Sequence, residues 1–226
     1  MKITPHTQLY VDESIAGRND IVKFVFVGKD SIRKGVREIV EVMTEIRKTR
    51  KDFELYLILH LDNYKDYVFR SYDDSKEEMD ELKMKIDTAK DWIHFYDRLP
   101  NEKVMEIVKQ CDVGLLPTWH DTYGYSVLEF QSCGLPVLST DCRALPEINK
   151  HGWRISLSTN RIDSFKEKNR QRMLLQKEIH DIVIHILDHH EEIRARGCKS
   201  LDYIKACHNP DDYAEKIKLI YNTFIE

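Results

Sequence analysis

Short apolar runs alternate along this chain with longer stretches in which apolar residues recur every three or four positions. The apolar runs cover residues 23–27, 54–59, 92–96, 112–116 and 136–139, with a weaker one at 153–157. Runs this short, each followed by an amphipathic segment, are typical of parallel strands that crossover helices bury on both faces. We therefore predict a strand at each run.

The longer stretches predict helices between these strands. The first of them carries apolar residues at helical spacing, namely Val36, Ile39, Val40, Met43 and Ile46. Further helices are predicted at 74–91, 101–109 and 126–133. From residue 162 to residue 226 the sequence is helical almost throughout and ends in a helix predicted at 211–224. We expect this helical flank to pack on the sheet.

This order of elements predicts the fold class and a division of the chain. Alternating strands and helices indicate an α/β fold with a doubly wound parallel sheet, here followed by a C-terminal helical flank. We interpret residues 1–22 as a linker or N-terminal extension, 23–160 as the sheet-containing core and 161–226 as the flank of the same domain. Such sheets bind ligands beyond the carboxyl ends of their strands, so the loops that follow the strands are the candidate site.

Composition excludes several function classes. The formal net charge of -4 gives no general attraction to a polyanion, so we do not expect nucleic-acid binding. The five cysteines are widely spaced, which argues against a disulfide framework or a zinc knuckle and favours a reducing cytosol. No run approaches the roughly 18 apolar residues that span a bilayer, and the first residues lack a signal-peptide core. We expect a soluble cytoplasmic protein, with peripheral attachment at the inner face of the membrane as a variant of that prediction.

The first predicted strand ends in a loop that suits a phosphate. The sequence from Val27 to Gly35 is Val-Gly-Lys-Asp-Ser-Ile-Arg-Lys-Gly. Gly28 permits close backbone approach, and Lys29 and Lys34 place two cations between a strand end and a helix. Taken alone, such a loop is more often a solvated loop of a lysine-rich protein than a ligand site.

A second candidate loop precedes the helix predicted at 126–133. It contains Asp121 and leads into a helix start near Tyr125 and Ser126, with Glu129 one to two turns further on. Backbone N–H groups at such a helix start can hold a diphosphate without a metal. Because carboxylates repel phosphate, ribose and sugar hydroxyls are the natural partners of Asp121 and Glu129. The alternative is that Asp121 is a turn residue and Glu129 a residue that the helix dipole favours.

Three segments together resemble the group 1 (family 4) glycosyltransferases of the GT-B fold. The segment from Asp121 to Ser139 is similar to the family signature, in which an acid, seven residues and a Glu precede a Gly-x-Pro-Val strand. Lys29 and Lys34, with four residues between them, resemble its phosphate-binding basic pair. Leu-Pro-Glu-Ile at 145–148 resembles the short segment that follows the next strand.

The resemblance covers most of residues 23–225 and implies that the core is Rossmann-like, binds a nucleotide sugar and is one half of a GT-B enzyme. Lys29 and Lys34 would neutralise the donor diphosphate and assist its departure, and Asp121 would face the transferred sugar, which makes these three the implied catalytic residues. Glu129 would bind the ribose hydroxyls, and the loop after the third strand would border the nucleobase. The implied nucleotide-sugar-binding residues are Gly28, Lys29, Lys34, Arg98, Leu99, Asp121, Tyr123, Gly124, Tyr125, Ser126 and Glu129.

The resemblance also implies a reaction and a partner. The family transfers a sugar from a nucleotide donor, here UDP-, GDP- or ADP-linked, to a glycan or lipid-linked acceptor with retention of configuration, and it needs no metal and no other cofactor. The resemblance is to the C-terminal half, whereas the N-terminal half normally binds the acceptor. We expect the chain to be a fragment of a longer enzyme, which the polar residues 1–22 favour, or a subunit that completes its site with another chain.

The sequence departs from the family pattern at four places. Asp121 stands where Glu is usual, Lys29 where Arg is more usual, His60-Leu61-Asp62 where a glycine turn is usual, and Arg143-Ala144 where a Gly pair is common. The departures at Asp121 and Arg143 leave open a non-catalytic binding or regulatory module. A sugar-nucleotide epimerase of related architecture is a further alternative.

Two charged segments are interpreted as solvated surface. One is the basic run within 166–177, and the other is the acidic cluster within 77–81. Contact of the basic run with a membrane or a partner domain is the less favoured interpretation.

Overall fold

The computed structural model describes residues 21–29, 32–61, 76–157 and 164–223. Within these ranges the strands are β1 (Val22–Gly28), β2 (Phe53–Leu59), β3 (Ile93–Tyr96), β4 (Val113–Leu116), β5 (Val137–Thr140) and β6 (Trp153–Ile155). The helices are α1 (Val36–Arg47), α2 (Lys76–Thr88), α3 (Asn101–Val108), α4 (Tyr125–Ser132), α5 (Leu145–Ile148), α6 (Phe165–Asp188), α7 (His190–Cys207) and α8 (Pro210–Thr223). The predicted linker lies almost entirely outside the described residues.

The strands form one parallel sheet in the order β3-β2-β1-β4-β5-β6. The chain runs outward from β1 to β3, crosses back, and then runs outward in the other direction from β4 to β6. β1 and β4 are therefore the neighbours at which the strand order reverses, where such sheets bind their ligands. The predicted doubly wound parallel sheet is confirmed.

The centre of the sheet is buried on both faces. Phe24, Val25 and Phe26 of β1 are successive residues, point alternately to the two faces and are all 0% exposed. On β4, a Cβ in place of the hydrogen of Gly114 would lie 2.4 Å from Phe130 Cδ2. Glycine at this position lets α4 lie close against β4, with the start of α4 beyond the carboxyl end of that strand.

The C-terminal flank packs on the rest of the domain only in part. α6 lies against α1 and β6, and α7 lies against α4; Ile179 and Val183 of α6 are buried. In α8, by contrast, Tyr213, Leu219 and Tyr221 are 67%, 69% and 66% exposed. The prediction that the flank packs on the sheet is wrong for α8, because helical periodicity reveals an apolar stripe but not what covers it.

The charged segments predicted as solvated surface contribute to a partly buried ion-pair network between α1, α2 and α6. Lys168 of the basic run is 0% exposed, and its Nζ lies 3.8 Å from Glu78 Oε2 of the acidic cluster. Arg172 lies 3.3 Å from Glu38 and 3.1 Å from Glu41. The interpretation as solvated surface is wrong for Lys168 and Arg172, because α6 packs against α1 and turns these side chains inward.

Candidate functional site

The loops beyond β1 and β4 are held together at the switch point of the sheet. Gly35 has a φ of 79°, and a Cβ on it would lie 2.2 Å from the carbonyl oxygen of Pro117. The backbone N–H of Trp119 donates to the carbonyl of Arg33 at 2.9 Å, and the hydroxyl of Thr118 donates to the same carbonyl at 3.2 Å. Glycine at position 35 permits this contact, which sets the position of the first loop against the second.

The contact between the loops brings Lys34 to Asp121. Lys34 Nζ lies 3.2 Å from Asp121 Oδ2, and the two side chains are 18% and 12% exposed. Asp121 Oδ1 accepts hydrogen bonds from the backbone N–H groups of Tyr123 at 3.2 Å and Gly124 at 2.9 Å. Asp121 is thus a turn residue, as the alternative interpretation held, and it also lies beside a predicted phosphate-binding cation.

Of the other two predicted residues of the first loop, Gly28 lies beside Lys34. Gly28 ends β1, and a Cβ there would lie 3.0 Å from Lys34 Cδ. Lys29 follows and is exposed to solvent. The loop therefore carries one exposed and one partly buried amine at the end of a central strand, and phosphate binding by them stays a prediction.

The N-terminus of α4 lies directly after Asp121. Gly124, with a φ of 85°, is its N-cap residue and offers no side chain to cap the first turn. Ser126 is 8% exposed, and its Oγ is buried with no hydrogen-bond partner among the described residues. The rings of Tyr123 and Tyr125 lie 5.2 Å apart at the helix start. Uncapped N–H groups and a hydroxyl with no partner can both donate to an anion.

Glu129 lies on the second turn of α4 and is half-buried. Its Oε1 accepts a hydrogen bond from Asn101 Nδ2 at 3.4 Å. Burial raises the pKa of Glu129, and the hydrogen bond from Asn101 and the charge of Lys34 oppose that rise. The carboxylate thus lies between the start of α3 and the loop that carries Lys34, with acceptor capacity left for hydroxyl groups.

The loop between β3 and α3 borders the same site. Arg98 has a left-handed backbone with a φ of 47°, and its Nε lies 3.0 Å from His60 Nδ1. Leu99 packs against the core two residues before Asn101, the hydrogen-bond donor to Glu129. The predicted nucleobase-bordering residues therefore lie in the loop that leads to the hydrogen-bond donor of Glu129.

Sequence reasoning missed three residues of this edge. Nothing in the local sequence distinguishes Asn101 from an ordinary helix-start residue or His120 from an ordinary loop residue. Arg143, noted as a departure from the family pattern, places its Nη2 2.9 Å from His120 Nε2. The only sequence signal for such a contact was the charged residue at a position where the family favours glycine.

Comparison with known proteins agrees with the motif resemblance. The model of the family described as glycosyl transferases group 1 matches residues 13–184. The chain belongs to this family. The match includes both loops of the site, α4, and most of α6.

Two solved structures and one curated protein illustrate what this family member is similar to. The C-terminal domain of the group 1 glycosyl transferase LpcC from Francisella tularensis has a TM-score of 0.61 at 15% identity, with 84% of this chain and 87% of that one covered. HepE of Anabaena, in complex with UDP and glucose, has a TM-score of 0.66 at 10% identity, with 90% and 49% covered. O-antigen chain mannosyltransferase B of Escherichia coli is 28% identical over 61 residues, which are 27% of this chain and 16% of that protein.

These likenesses confirm the GT-B assignment of the fold. The chain spans about half the length of HepE and most of the LpcC C-terminal domain. It therefore has the fold of one Rossmann-like half of a GT-B glycosyltransferase.

Two further observations concern metals and membranes. Within the described ranges, no group of three or more His, Cys, Asp or Glu residues could hold a metal ion. None of the helices in those ranges combines the length and the apolar character needed to cross a bilayer. Metal independence and cellular location stay predictions.

Proposed function

We propose that this chain is the donor-binding half of a retaining glycosyltransferase, which transfers a sugar from a nucleotide sugar to a glycan or lipid-linked acceptor. The observation that carries the proposal is the meeting of Lys34 with Asp121 at 3.2 Å, directly before the uncapped start of α4. A cation, a row of N–H donors and a carboxylate are the groups that a sugar diphosphate requires.

The order of the side chains along the sheet edge supports the proposal. Strand order places Arg98 after β3, Lys34 after β1 and Asp121 after β4. A nucleotide sugar has its base, diphosphate and sugar in the same order. Glu129 accepts a hydrogen bond from Asn101, and the charge of Lys34 acts to lower its pKa. In the proposal, Glu129 binds the ribose.

The proposed reaction uses these groups at the departing diphosphate. The bond between sugar C1 and the diphosphate oxygen breaks, the oxygen of an acceptor hydroxyl bonds to C1 on the same face, and the proton of that hydroxyl passes to the departing diphosphate oxygen. Lys29, Lys34 and the N–H groups of α4 stabilise the negative charge that develops on the diphosphate. Once a diphosphate has taken the place of Asp121 beside Lys34, the Asp121 carboxylate can accept a hydrogen bond from a sugar hydroxyl.

We infer that a second domain supplies the acceptor site. The likeness to the LpcC C-terminal domain covers 87% of that chain, whereas the likeness to HepE covers 49% of the whole protein. The proposal is that an N-terminal half, in the same polypeptide or in another chain, closes over the edge that carries Asp121.

A non-catalytic nucleotide-sugar-binding module is the second candidate. The observation that favours it is that two backbone N–H groups already occupy Asp121 Oδ1. Such a module would bind a nucleotide and would transfer no sugar when mixed with an acceptor domain and an acceptor.

The proposal is tested by calorimetric titration and thermal shift of the chain with UDP, GDP, ADP and CMP. We expect one nucleoside diphosphate to bind in the micromolar to millimolar range and to raise the melting temperature. Glu129→Ala and Lys34→Ala should abolish that shift. The matched controls are Glu215→Ala and Lys218→Ala on α8, whose side chains are 73% and 69% exposed and should leave it unchanged. Absence of binding to every nucleotide would contradict the donor-site proposal.

A further inference from the structure

Arg143, in the connection between β5 and α5, has a backbone conformation that glycine normally adopts. Its φ is 52°, and among the described residues Arg143 and Arg98 are the non-glycine residues with positive φ. A Cβ makes this conformation unfavourable, and it persists where surrounding contacts impose it, most often at functional sites. Arg143 therefore directs attention to the β5 end of the candidate site.

Contacts tie the loop of Arg143 to the loop of Asp121. Thr140 Oγ1 donates to the carbonyl of Thr118 at 2.7 Å. Arg143 Nη2 lies 2.9 Å from His120 Nε2, and His120 directly precedes Asp121. The guanidinium thus contacts the residue next to Asp121, whose carboxylate is proposed to face the transferred sugar.

Strand order places Arg143 on the far side of Asp121 from Lys34. β1, β4 and β5 are adjacent in the sheet, with Lys34 after β1, Asp121 after β4 and Arg143 after β5. A diphosphate bound at Lys34, with its nucleobase toward β3, directs its sugar toward β5. The sugar would therefore lie next to Arg143.

The charge of Arg143 has a different environment from that of Lys34. Lys34 pairs with Asp121, whereas within the described ranges Arg143 pairs with no carboxylate and donates to a histidine ring. A guanidinium has several N–H donors and no acceptor, so its best partner is a carboxylate bound through two oxygens. A neutral sugar offers hydroxyls, which do not need a full positive charge.

We propose that Arg143 binds an acidic group on the transferred sugar, so that the donor is a nucleotide-linked uronic acid. This inference rests on the proposed function and names the substrate class of the same site. Arg143 is a specificity-determining residue in it, and His120, which accepts a hydrogen bond from Nη2, positions the guanidinium.

The test compares donors that differ only in the acidic group. Calorimetry on the full chain would measure UDP-glucuronate against UDP-glucose, GDP-mannuronate against GDP-mannose, and bare UDP and GDP. We expect the acidic sugar of one pair to bind about tenfold more tightly than its neutral counterpart. Arg143→Gln should reduce that ratio to about one and leave the affinity for the bare nucleoside diphosphate unchanged.

Two further variants keep the test decisive. Arg143→Gly removes the same side chain and suits the positive φ, so it should fold at least as well as the parent and also lose the preference. Lys150 is an exposed cation near the end of α5, and Lys150→Gln should keep the preference for the acidic donor. Equal binding of acidic and neutral donors, or a preference that survives in both Arg143 variants, would overturn the uronate proposal and leave the donor site intact. Failure to bind any nucleoside diphosphate or sugar nucleotide would overturn both proposals.

Discussion

Lys34 Nζ and Asp121 Oδ2 lie 3.2 Å apart, although their loops follow different strands of the sheet. The carboxylate of Asp121 neutralises the charge of Lys34. A diphosphate bound at the proposed donor site would therefore compete with Asp121 for the lysine. This competition would give Asp121 an effect on nucleotide affinity that is separate from any contact with the sugar.

We predict that Asp121→Asn tightens binding of the cognate nucleoside diphosphate by about three- to tenfold, because Lys34 loses its competing partner and the site loses a negative charge. The amide oxygen of asparagine can still accept the backbone hydrogen bonds that Asp121 Oδ1 accepts. Calorimetry at low and high salt would measure the change, which should shrink as salt rises.

The control for that prediction is Asp87→Asn, since Asp87 is 68% exposed on α2. It changes the net charge by the same amount as Asp121→Asn and should leave the affinity for the nucleoside diphosphate unchanged. Equal affinities of Asp121→Asn and the parent would show that the ion pair does not oppose nucleotide binding.

We predict that Gly35→Ala lowers the free energy of unfolding by at least about 2 kcal/mol, because alanine disfavours the positive φ and its Cβ would meet a backbone carbonyl. The carbonyl oxygen of Pro117 lies 2.2 Å from that Cβ position. Urea unfolding measures the loss, and nucleotide affinity should fall with it because the two site loops must separate.

A substitution at Gly134 distinguishes the effect of the positive φ from the effect of the contact with the backbone carbonyl. Its φ is 77°, but a Cβ there would have no atom within 4 Å. Gly134→Ala should therefore cost only about 1 kcal/mol, from backbone strain alone. Equal losses in the two variants would mean that the approach of Gly35 to Pro117 contributes nothing.

The third prediction concerns stability against pH. Burial, with two nearby guanidiniums, lowers the pKa of Lys168 from 10.5 to about 8. Between these values the unfolded chain holds a proton that the folded chain has released, so the contribution of Lys168 to stability rises with pH from about 8 to 10.5. Below pH 8 the cost of the buried ammonium is fully present.

Lys168→Met should therefore raise the free energy of unfolding at pH 7 by roughly 1–3 kcal/mol. The difference from the parent should diminish toward pH 10.5, the ordinary lysine value. Urea unfolding at several pH values measures it, with Lys177→Met, at a side chain 67% exposed, as the control. A stability loss at pH 7 would mean that the ion pair of Lys168 with Glu78 outweighs its burial.

The sequence determined the sheet and the location of the candidate site. The apolar runs at 23–27 and 112–116 could be recognised because a strand buried on both faces is apolar at nearly every position. The loops with Lys34 and Asp121 could be proposed as one site because carboxyl ends of parallel strands share an edge. Local residue types were sufficient for both inferences.

Only the tertiary structure decided which side chains meet and which are covered. The approach of Gly35 to Pro117 and the bond from Arg143 to His120 join residues that no local pattern relates. The same is true of buried Lys168 and of the exposed apolar residues of α8. Apolar periodicity shows which face of an element avoids water. The partner of that face depends on packing between elements that are distant in the sequence, so local residue patterns do not reveal it.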